Sequence, residues 1–345
     1  VLRIILASLL LVAASPALAN EAVDEAAFRS AIAEFKQEVG ARHGFSDETL
    51  ELWFADVELQ QPILDAISRP AERVRPWHEY RQIFITDRRI DGGVEFWLEH
   101  REELDRIAAD YGVPAQMIVA IIGVETLYGR ITGRWRVLDA LSTLAFAYPP
   151  RAAFFRRELE QFLLLSREER IEPRATLGSY AGAMGPPQFI PSSYRAYAVD
   201  GNGSGRRDLF HDWSDVLASV ANYFKVHGWR DGEPVVQQAT TRSDWRDTHP
   251  QHSLELTSTL GELAASGYVF AADRPADTPA MMVRLDGSDG EELWVGHHNF
   301  RVITRYNRSL MYALAVHQLS EEILARVRGE TVGRVASDAH AEAVP

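Results

Sequence analysis

The sequence predicts a mainly α (α+β) protein with one small β-containing region. Three observations carry this. Helical, polar-faced patterning runs from Asp24 to about Gly112, the segment Met117 to Val124 is apolar on every face, and a hairpin signal lies between Met281 and Val295. Over 345 residues, 46% hydrophobic and 25% charged composition excludes a wholly disordered, collagen-like or coiled-coil chain.

The chain opens with Arg3, an apolar run from Ile4 to Ala14, and the small-residue stretch Ser15-Pro16-Ala17-Leu18-Ala19. This pattern predicts a secretory signal peptide over residues 1–19, the run being short of the ~20 apolar residues a spanning anchor needs. The expected compartment is a bacterial periplasm, with no transmembrane anchor. There is no Cys, so disulfides, thiolate metal sites, a cysteine nucleophile and a lipoprotein anchor are excluded. The net charge is −13, with no basic run, which argues against nucleic acid as a partner.

Residues 20–112 are expected to form an N-terminal helical region. Asp24 to Val39 is one amphipathic segment, Ser46-Asp47-Glu48-Thr49 is an N-cap with acids in the first turn, and Gly92 or Gly93 is expected to start a longer helix that Gly112 ends. Pro114 suits the first position of the next helix, a buried one that runs into Glu125-Thr126-Leu127-Tyr128-Gly129. Helices from Leu138 to Phe146, Arg151 to Ser166 and Asp215 to His227 complete residues 113–232. Residues 233–302 change character: Thr257 to Ser266 reads as helical, and Asp286-Gly287-Ser288-Asp289-Gly290 joins two strands. Residues 303–328 return to helix, from Ser309 to Leu319 and from Glu321 to Arg328, and 329–345 read as a mobile tail.

Glu125 is the residue that most invites a chemical role. A carboxylate at the end of a buried helix costs several kcal/mol if ionised without partners, and Ile121 and Ile122 at i−4 and i−3 offer none. Desolvation would favour the protonated form, as a general acid requires. The structural alternative pairs Glu125 with Arg130, Arg134 or Arg136. Ser179 and Gln188 supply polar groups beside Gly182 and Gly185, where a ligand can approach the backbone. Tyr180, Tyr223, Tyr306 and Tyr312 can stack on sugar faces. Each alone is ordinary core material, and together they resemble a carbohydrate groove.

The loop Asp200 to Asp208 places Asp200, Asn202, Ser204 and Asp208 at positions 1, 3, 5 and 9 with Gly205 at 6, as in an EF-hand. His211 stands where the closing Glu belongs, and Asp215 is close enough to fold back. Calcium and a metal-free turn both remain open. His249, His252, His297 and His298 lack a third ligand at a recognisable spacing and read as surface or supporting histidines. Gly201 to Gly205 is not a phosphate loop, because no Lys-Ser/Thr pair follows.

The ordered motifs Gly123-Val124-Glu125-Thr126, Leu138-Asp139-Ala140-Leu141-Ser142-Thr143-Leu144, Gly182-Ala183-Met184-Gly185 with Gln188-Phe189-Ile190-Pro191-Ser192-Ser193-Tyr194, Ala221-Asn222-Tyr223-Phe224 and Thr304-Arg305-Tyr306-Asn307 resemble the membrane-bound lytic murein transglycosylase B family, here as a soluble, non-lipoprotein member. The resemblance implies a lysozyme-like helical core over 113–232 and peptidoglycan glycan strands as substrate. It implies Glu125 as the single catalytic acid/base, and Ser179, Gln188, Tyr223, Tyr306, Asn307, Tyr312, Arg151 and Phe154 as substrate-binding residues. Asn307 reads equally well as an N-cap. Pro150 stands where a basic residue is common, and Pro186-Pro187 replaces a Tyr-Gly pair.

The resemblance also implies cleavage between N-acetylmuramic acid and N-acetylglucosamine with closure of a 1,6-anhydro ring, assisted by the substrate's acetamido group. No cofactor is required, and calcium in the 200–215 loop (Asp200, Asn202, Ser204, Asp208, Asp215) is optional. Protein partners in cell-wall synthesis or remodelling are not identified by it. The competing expectations are a hydrolytic muramidase and a non-catalytic peptidoglycan-binding protein.

Overall fold

The structure, a computed structural model, describes residues 24–68, 75–250 and 252–329. The expected leader and the tail beyond 329 lie outside these residues. In chain order the helices are α1 (Glu25–His43), α2 (Asp47–Phe54), α3 (Gln61–Ser68), α4 (Trp77–Phe84), α5 (Asp87–Glu99), α6 (Arg101–Tyr111) and α7 (Ala115–Thr126), followed by α8 (Val137–Ala147), α9 (Ala152–Glu169), α10 (Pro191–Tyr197), α11 (Trp213–Val226), α12 (Leu260–Ala265), α13 (His298–Tyr306) and α14 (Leu310–Val327). The strands are β1 (Trp135–Arg136), β2 (Leu177–Gly178), β3 (Val236–Thr241), β4 (Ser258–Thr259), β5 (Tyr268–Val269), β6 (Pro279–Gly287) and β7 (Gly290–Gly296). The fold is therefore mainly α with small antiparallel sheets, as the sequence predicts.

Local chemistry explains several helix ends. The Asp24 carboxylate accepts the Ala26 N–H, and Gly44 closes α1 at φ 68°. Ser46 caps α2 through the Thr49 N–H, and Gly112 ends α6 at φ 67°. Three boundaries differ from the expectation. Gly92 and Gly93 lie inside α5, buried, and do not start it; the break comes at His100. The last two helices are one, because Ser309 caps a continuous α14 through the Tyr312 N–H. Asn307 therefore is not the N-cap, and Tyr306 is the last residue of α13.

The residues form two compact units. One takes the described residues up to 75 together with Glu125–Trp229 and Arg305–Arg308. Within it α8 packs on α9, α1 and α3, and α10 bridges α9 and α11. Phe28 and Phe35 of α1 meet Phe146 of α8 edge-on, with ring centroids 6.2 and 5.7 Å apart. The β1–β2 pair joins Trp135 to Gly178 and Arg136 to Leu177.

The other unit takes Pro76–Val124, Arg230–Thr304 and the described residues from Ser309 on. Its sheet has the antiparallel order β4-β6-β7-β3-β5. The expected hairpin is β6–β7, closed by Ser288-Asp289 with Gly287 opposite Gly290. Ala239, Leu260, Leu263, Tyr268, Ala280, Met282 and Val295 form one core on it. On α7, Ile118 to Ile122 are wholly buried, the three Ile and one Val among them each contributing about 1.5–3 kcal/mol. No single helix among the described residues is long and apolar enough to cross a membrane.

His317 on α14 has a pKa lowered by burial to about 4, and its Nδ1 is buried with no hydrogen-bond partner among the described residues. The unfolded chain takes up this proton near pH 6.5 and the folded chain only near pH 4. The resulting stability is present above pH 6.5 and is lost as pH falls to about 4, up to ~3 kcal/mol for a shift of this size. Denaturation at stepped pH should show that loss, and His317→Leu should flatten it; an unchanged slope in the variant would assign the loss to other groups.

Candidate active site

Glu125 is the penultimate residue of α7, half-buried among buried neighbours. The chain then turns sharply: Leu127, Tyr128 and Gly129 have φ of 51°, 60° and 77°. Leu and Tyr each pay about 1–2 kcal/mol in that left-handed region, so the turn needs outside support. Burial of both side chains supplies part of it. Thr126 supplies another part: its hydroxyl accepts the Gly129 N–H at 3.1 Å and donates to the Pro186 carbonyl at 2.9 Å. Thr126→Val keeps the shape but orphans both groups, so a loss of about 1–3 kcal/mol is expected in a denaturant titration. A shift no larger than that of an ordinary surface substitution would remove Thr126 as the support.

The segment 178–189 is folded on itself. Ser179 is wholly buried, and its hydroxyl accepts the amides of Ala181 and Ala183 at 3.3 and 3.0 Å. The hydroxyl that the sequence offers to a ligand thus also shapes its own loop. Gln188 sits at φ 51°, and its Nε2 donates to the carbonyls of Thr132 and Gly185 at 3.0 and 2.9 Å. Among the described residues its Oε1 has no hydrogen-bond partner. Gly185 at φ 64° lies so close to the Leu209 carbonyl that a Cβ would approach it to 2.1 Å, which explains the glycine there.

Aromatic rings gather around these groups. The Tyr306 hydroxyl donates to the Pro187 carbonyl at 2.7 Å, and the Tyr223 hydroxyl donates to the Arg305 carbonyl at 2.7 Å. Ring centroids of Tyr223 and Tyr306 are 4.7 Å apart, and both meet Phe189 within 5.8 Å. Burial pushes the Tyr306 phenol well above its ordinary value, and the charge of Glu125 pushes it the same way. A neutral, donating phenol and a carboxyl group thus sit in one poorly solvated place. Burial likewise raises Tyr223.

Sequence reasoning missed Thr126 and His227. His227 stacks on Tyr223 at 4.1 Å and shares a 2.7 Å hydrogen bond between Nδ1 and the Tyr223 carbonyl, and burial lowers its pKa. Its i+4 spacing from Tyr223 was the available signal.

The other expected groove residues have surroundings of their own. Arg151 lies over the Phe154 ring at 4.3 Å; burial lowers its pKa, and its Nη1 has no hydrogen-bond partner among the described residues. Tyr180 is half-buried near it, with its phenol pushed up by burial. Asn307 is buried just after α13. Tyr312 belongs to the other unit, 1% exposed on α14.

In the loop 200–215, Asp215 does fold back. It is wholly buried and accepts the amides of Gly201 and Asp208 at 2.7 and 2.6 Å. Asp200 accepts those of Ser204 and Gly205 at 2.9 and 2.6 Å. Burial raises the Asp215 pKa, and the carboxylates of Asp212 and Asp200 add to the rise. The Gly205 amide above all holds Asp200 low. His211 is exposed. Among the described residues no three His, Asp or Glu side chains converge tightly enough to hold a metal by themselves, so a cation here would also need Asn202, Ser204 and backbone oxygens. His297 is buried, not a surface residue, and shares a 3.1 Å contact with Gln237.

Residues 27–321 match the transglycosylase SLT domain family. The chain is 40% identical over 309 residues to membrane-bound lytic murein transglycosylase B of Escherichia coli (strain K12), covering 86% of this chain and 83% of that one. It is similar to the crystal structure of soluble lytic transglycosylase SltB1 from Pseudomonas aeruginosa, at 54% identity and TM-score 0.80, covering 87% and 99% of the two chains. It is also similar to the Escherichia coli lytic transglycosylase Slt35 in complex with calcium, at 40% identity and TM-score 0.77, covering 86% and 93%. Alike to these proteins in sequence and in its mainly α, lysozyme-like architecture, the chain belongs to the transglycosylase SLT domain family.

Proposed function

We propose that this protein is a periplasmic lytic transglycosylase that cleaves the β-1,4 bond between N-acetylmuramic acid and N-acetylglucosamine in peptidoglycan. The observation that carries the mechanism is the carboxyl of Glu125 at the end of a buried helix, beside the half-buried Tyr306, whose phenol its charge helps to keep un-ionised. Glu125 protonates the glycosidic oxygen, and the bond from that oxygen to C1 of the muramoyl sugar breaks. The acetamido carbonyl of the same sugar supports the cationic C1. The Glu125 carboxylate then takes the proton of the C6 hydroxyl while O6 bonds to C1, which closes the anhydro ring and restores the acid.

Tyr223, Tyr306, Gln188 and Asn307 border the reacting sugar in this reading, and Ser179 acts through the loop it holds. Arg151 and Phe154 offer a cation stacked on a ring to a more distant part of the strand. Tyr312 is proposed as a groove residue on the family resemblance alone. Mass spectrometry of fragments released from purified sacculi tests the reaction. Anhydro ends, one water lighter than reducing ends, are expected; reducing ends would make the protein a muramidase, and no release at all would make it a binding protein.

Calcium is proposed as an optional structural occupant of the 200–215 loop, where Asp200, Asp208 and Asp215 with Asn202 and Ser204 form an oxygen-only donor set. A cation would offset the repulsion from Asp212 and Asp200 that adds to the effect of burial on Asp215. Calcium at a hundredfold excess over its Kd is expected to stabilise the fold by about 2.7 kcal/mol. A melting temperature unmoved by millimolar calcium or by chelator would leave the loop a plain turn.

A further inference from the structure

A pocket of about 600 Å³ opens in the same unit on side chains that the glycan groove does not use. Its wall is built by Thr132, by the end of α9 and the segment after it (169–172 and 175–177), by Tyr194, and by 206–208 with Phe210 and His211. Several charges in the wall neutralise one another. Glu169 takes the Arg207 Nε at 2.7 Å, and Asp208 lies 3.3 Å from Arg206 and 3.4 Å from His211. Two are left over. Among the described residues the exposed Arg170 guanidinium has no ion-pair partner, and the exposed Glu172 carboxylate accepts only the Arg174 amide, at 3.1 Å. Beside them Leu177 is 49% exposed, and Ile131, next to Thr132, is 50% exposed.

The pocket is tied to the groove by the backbone. The Thr132 carbonyl in its wall accepts the Gln188 amide at 3.0 Å, and Leu177 is two residues from Ser179. A sugar is a poor match for this wall. Its one tyrosine, Tyr194, has its hydroxyl engaged twice, donating to the Arg207 carbonyl at 2.7 Å and accepting the Leu209 amide at 2.8 Å. An unpaired cation, a nearby carboxylate with spare acceptor capacity and an exposed aliphatic surface suit a short peptide that carries both carboxylate and amino groups.

Resting on the reading that the chain acts on peptidoglycan, we propose that this pocket receives the peptide stem of a muramoyl residue. A stem carboxylate meets Arg170, a stem amino group meets Glu172, and aliphatic stem side chains lie over Leu177. The test uses glycan fragments that carry their stems and the same fragments after an amidase has removed them.

The double variant Arg170→Asn, Glu172→Gln removes both charges. Asn suits the left-handed backbone at position 170, φ 56°, and Gln retains the acceptor for Arg174. For the variant, KM on stem-bearing fragments is expected to rise about tenfold relative to KM on stem-free fragments. No change in that ratio would overturn the proposal. If the wild-type protein cleaves neither substrate, the catalytic reading fails instead, and calorimetric binding of the same two fragments then decides: tighter binding of the stem-bearing one by wild type but not by the variant supports the pocket, and equal binding refutes it.

Discussion

Glu125→Gln is expected to lower glycan release by about 10² to 10⁴-fold while strand binding persists. The amide keeps the size and hydrogen-bonding reach of the carboxyl group but neither gives up a proton to the leaving oxygen nor takes one from the C6 hydroxyl. Both halves of the proposed reaction run through this one group, because the other carboxylate in the motifs, Asp139, is buried and held by Arg136 at 2.7 Å. Single-turnover rates with defined fragments, set beside equilibrium binding of the same fragments, separate the two effects. A variant that turns over near the wild-type rate would take Glu125 out of the chemistry. A variant that has lost binding as well would point to a structural role.

Gly133→Ala is expected to be the most damaging single substitution for stability, at about 4 kcal/mol or more. Gly133 has φ 113°, a conformation closed to residues with a Cβ. A Cβ there would also lie 2.0 Å from the carbonyl carbon and oxygen of Gly178 and 2.5 Å from the Ser179 nitrogen. That backbone has little freedom to yield: Gly178 pairs with Trp135, and the Ser179 N–H donates to the Ala183 carbonyl at 2.8 Å. Gly203→Ala is the control, since Gly203 has φ 75° but nothing within 4 Å of the added atom, and about 1 kcal/mol is expected. Equal losses in the two variants by denaturant titration would mean that the close approach at Gly133 costs nothing beyond its dihedral angle.

Local signals made much of this fold legible. Asp24, Ser46 and Gly112 mark helix ends where capping is a matter of neighbouring residues, and the Asp-Gly turn residues placed the β6–β7 hairpin. Gly92 and Gly93 misled because a glycine's helix penalty of about 1 kcal/mol is small beside the burial of α5. The short strands β1, β2, β4 and β5 carry two residues each, too few to show a period. At the site, Glu125 stood out as a charge ending an apolar run. Ser179 and Gln188 were found but their bonds were not, because hydroxyls and amides serve a loop or a ligand with the same atoms. Thr126 was invisible, its partner Pro186 being 60 residues away.

The two hydroxyls that hold the rim beside Glu125, from Thr126 and Tyr306, both end on main-chain carbonyls, those of Pro186 and Pro187. Every amino acid carries that carbonyl, so the attachment is indifferent to which side chains stand at positions 186 and 187. The rim is thus free to change composition without moving the carboxyl group it flanks, and a Pro-Pro pair in place of Tyr-Gly is one such exchange. Proline suits the place because neither attachment draws on an N–H of residue 186 or 187, and its fixed φ reduces the disorder available to the unfolded rim. In the proposed groove the side chains at 186 and 187 are therefore the ones that can be exchanged while both attachments beside Glu125 are kept.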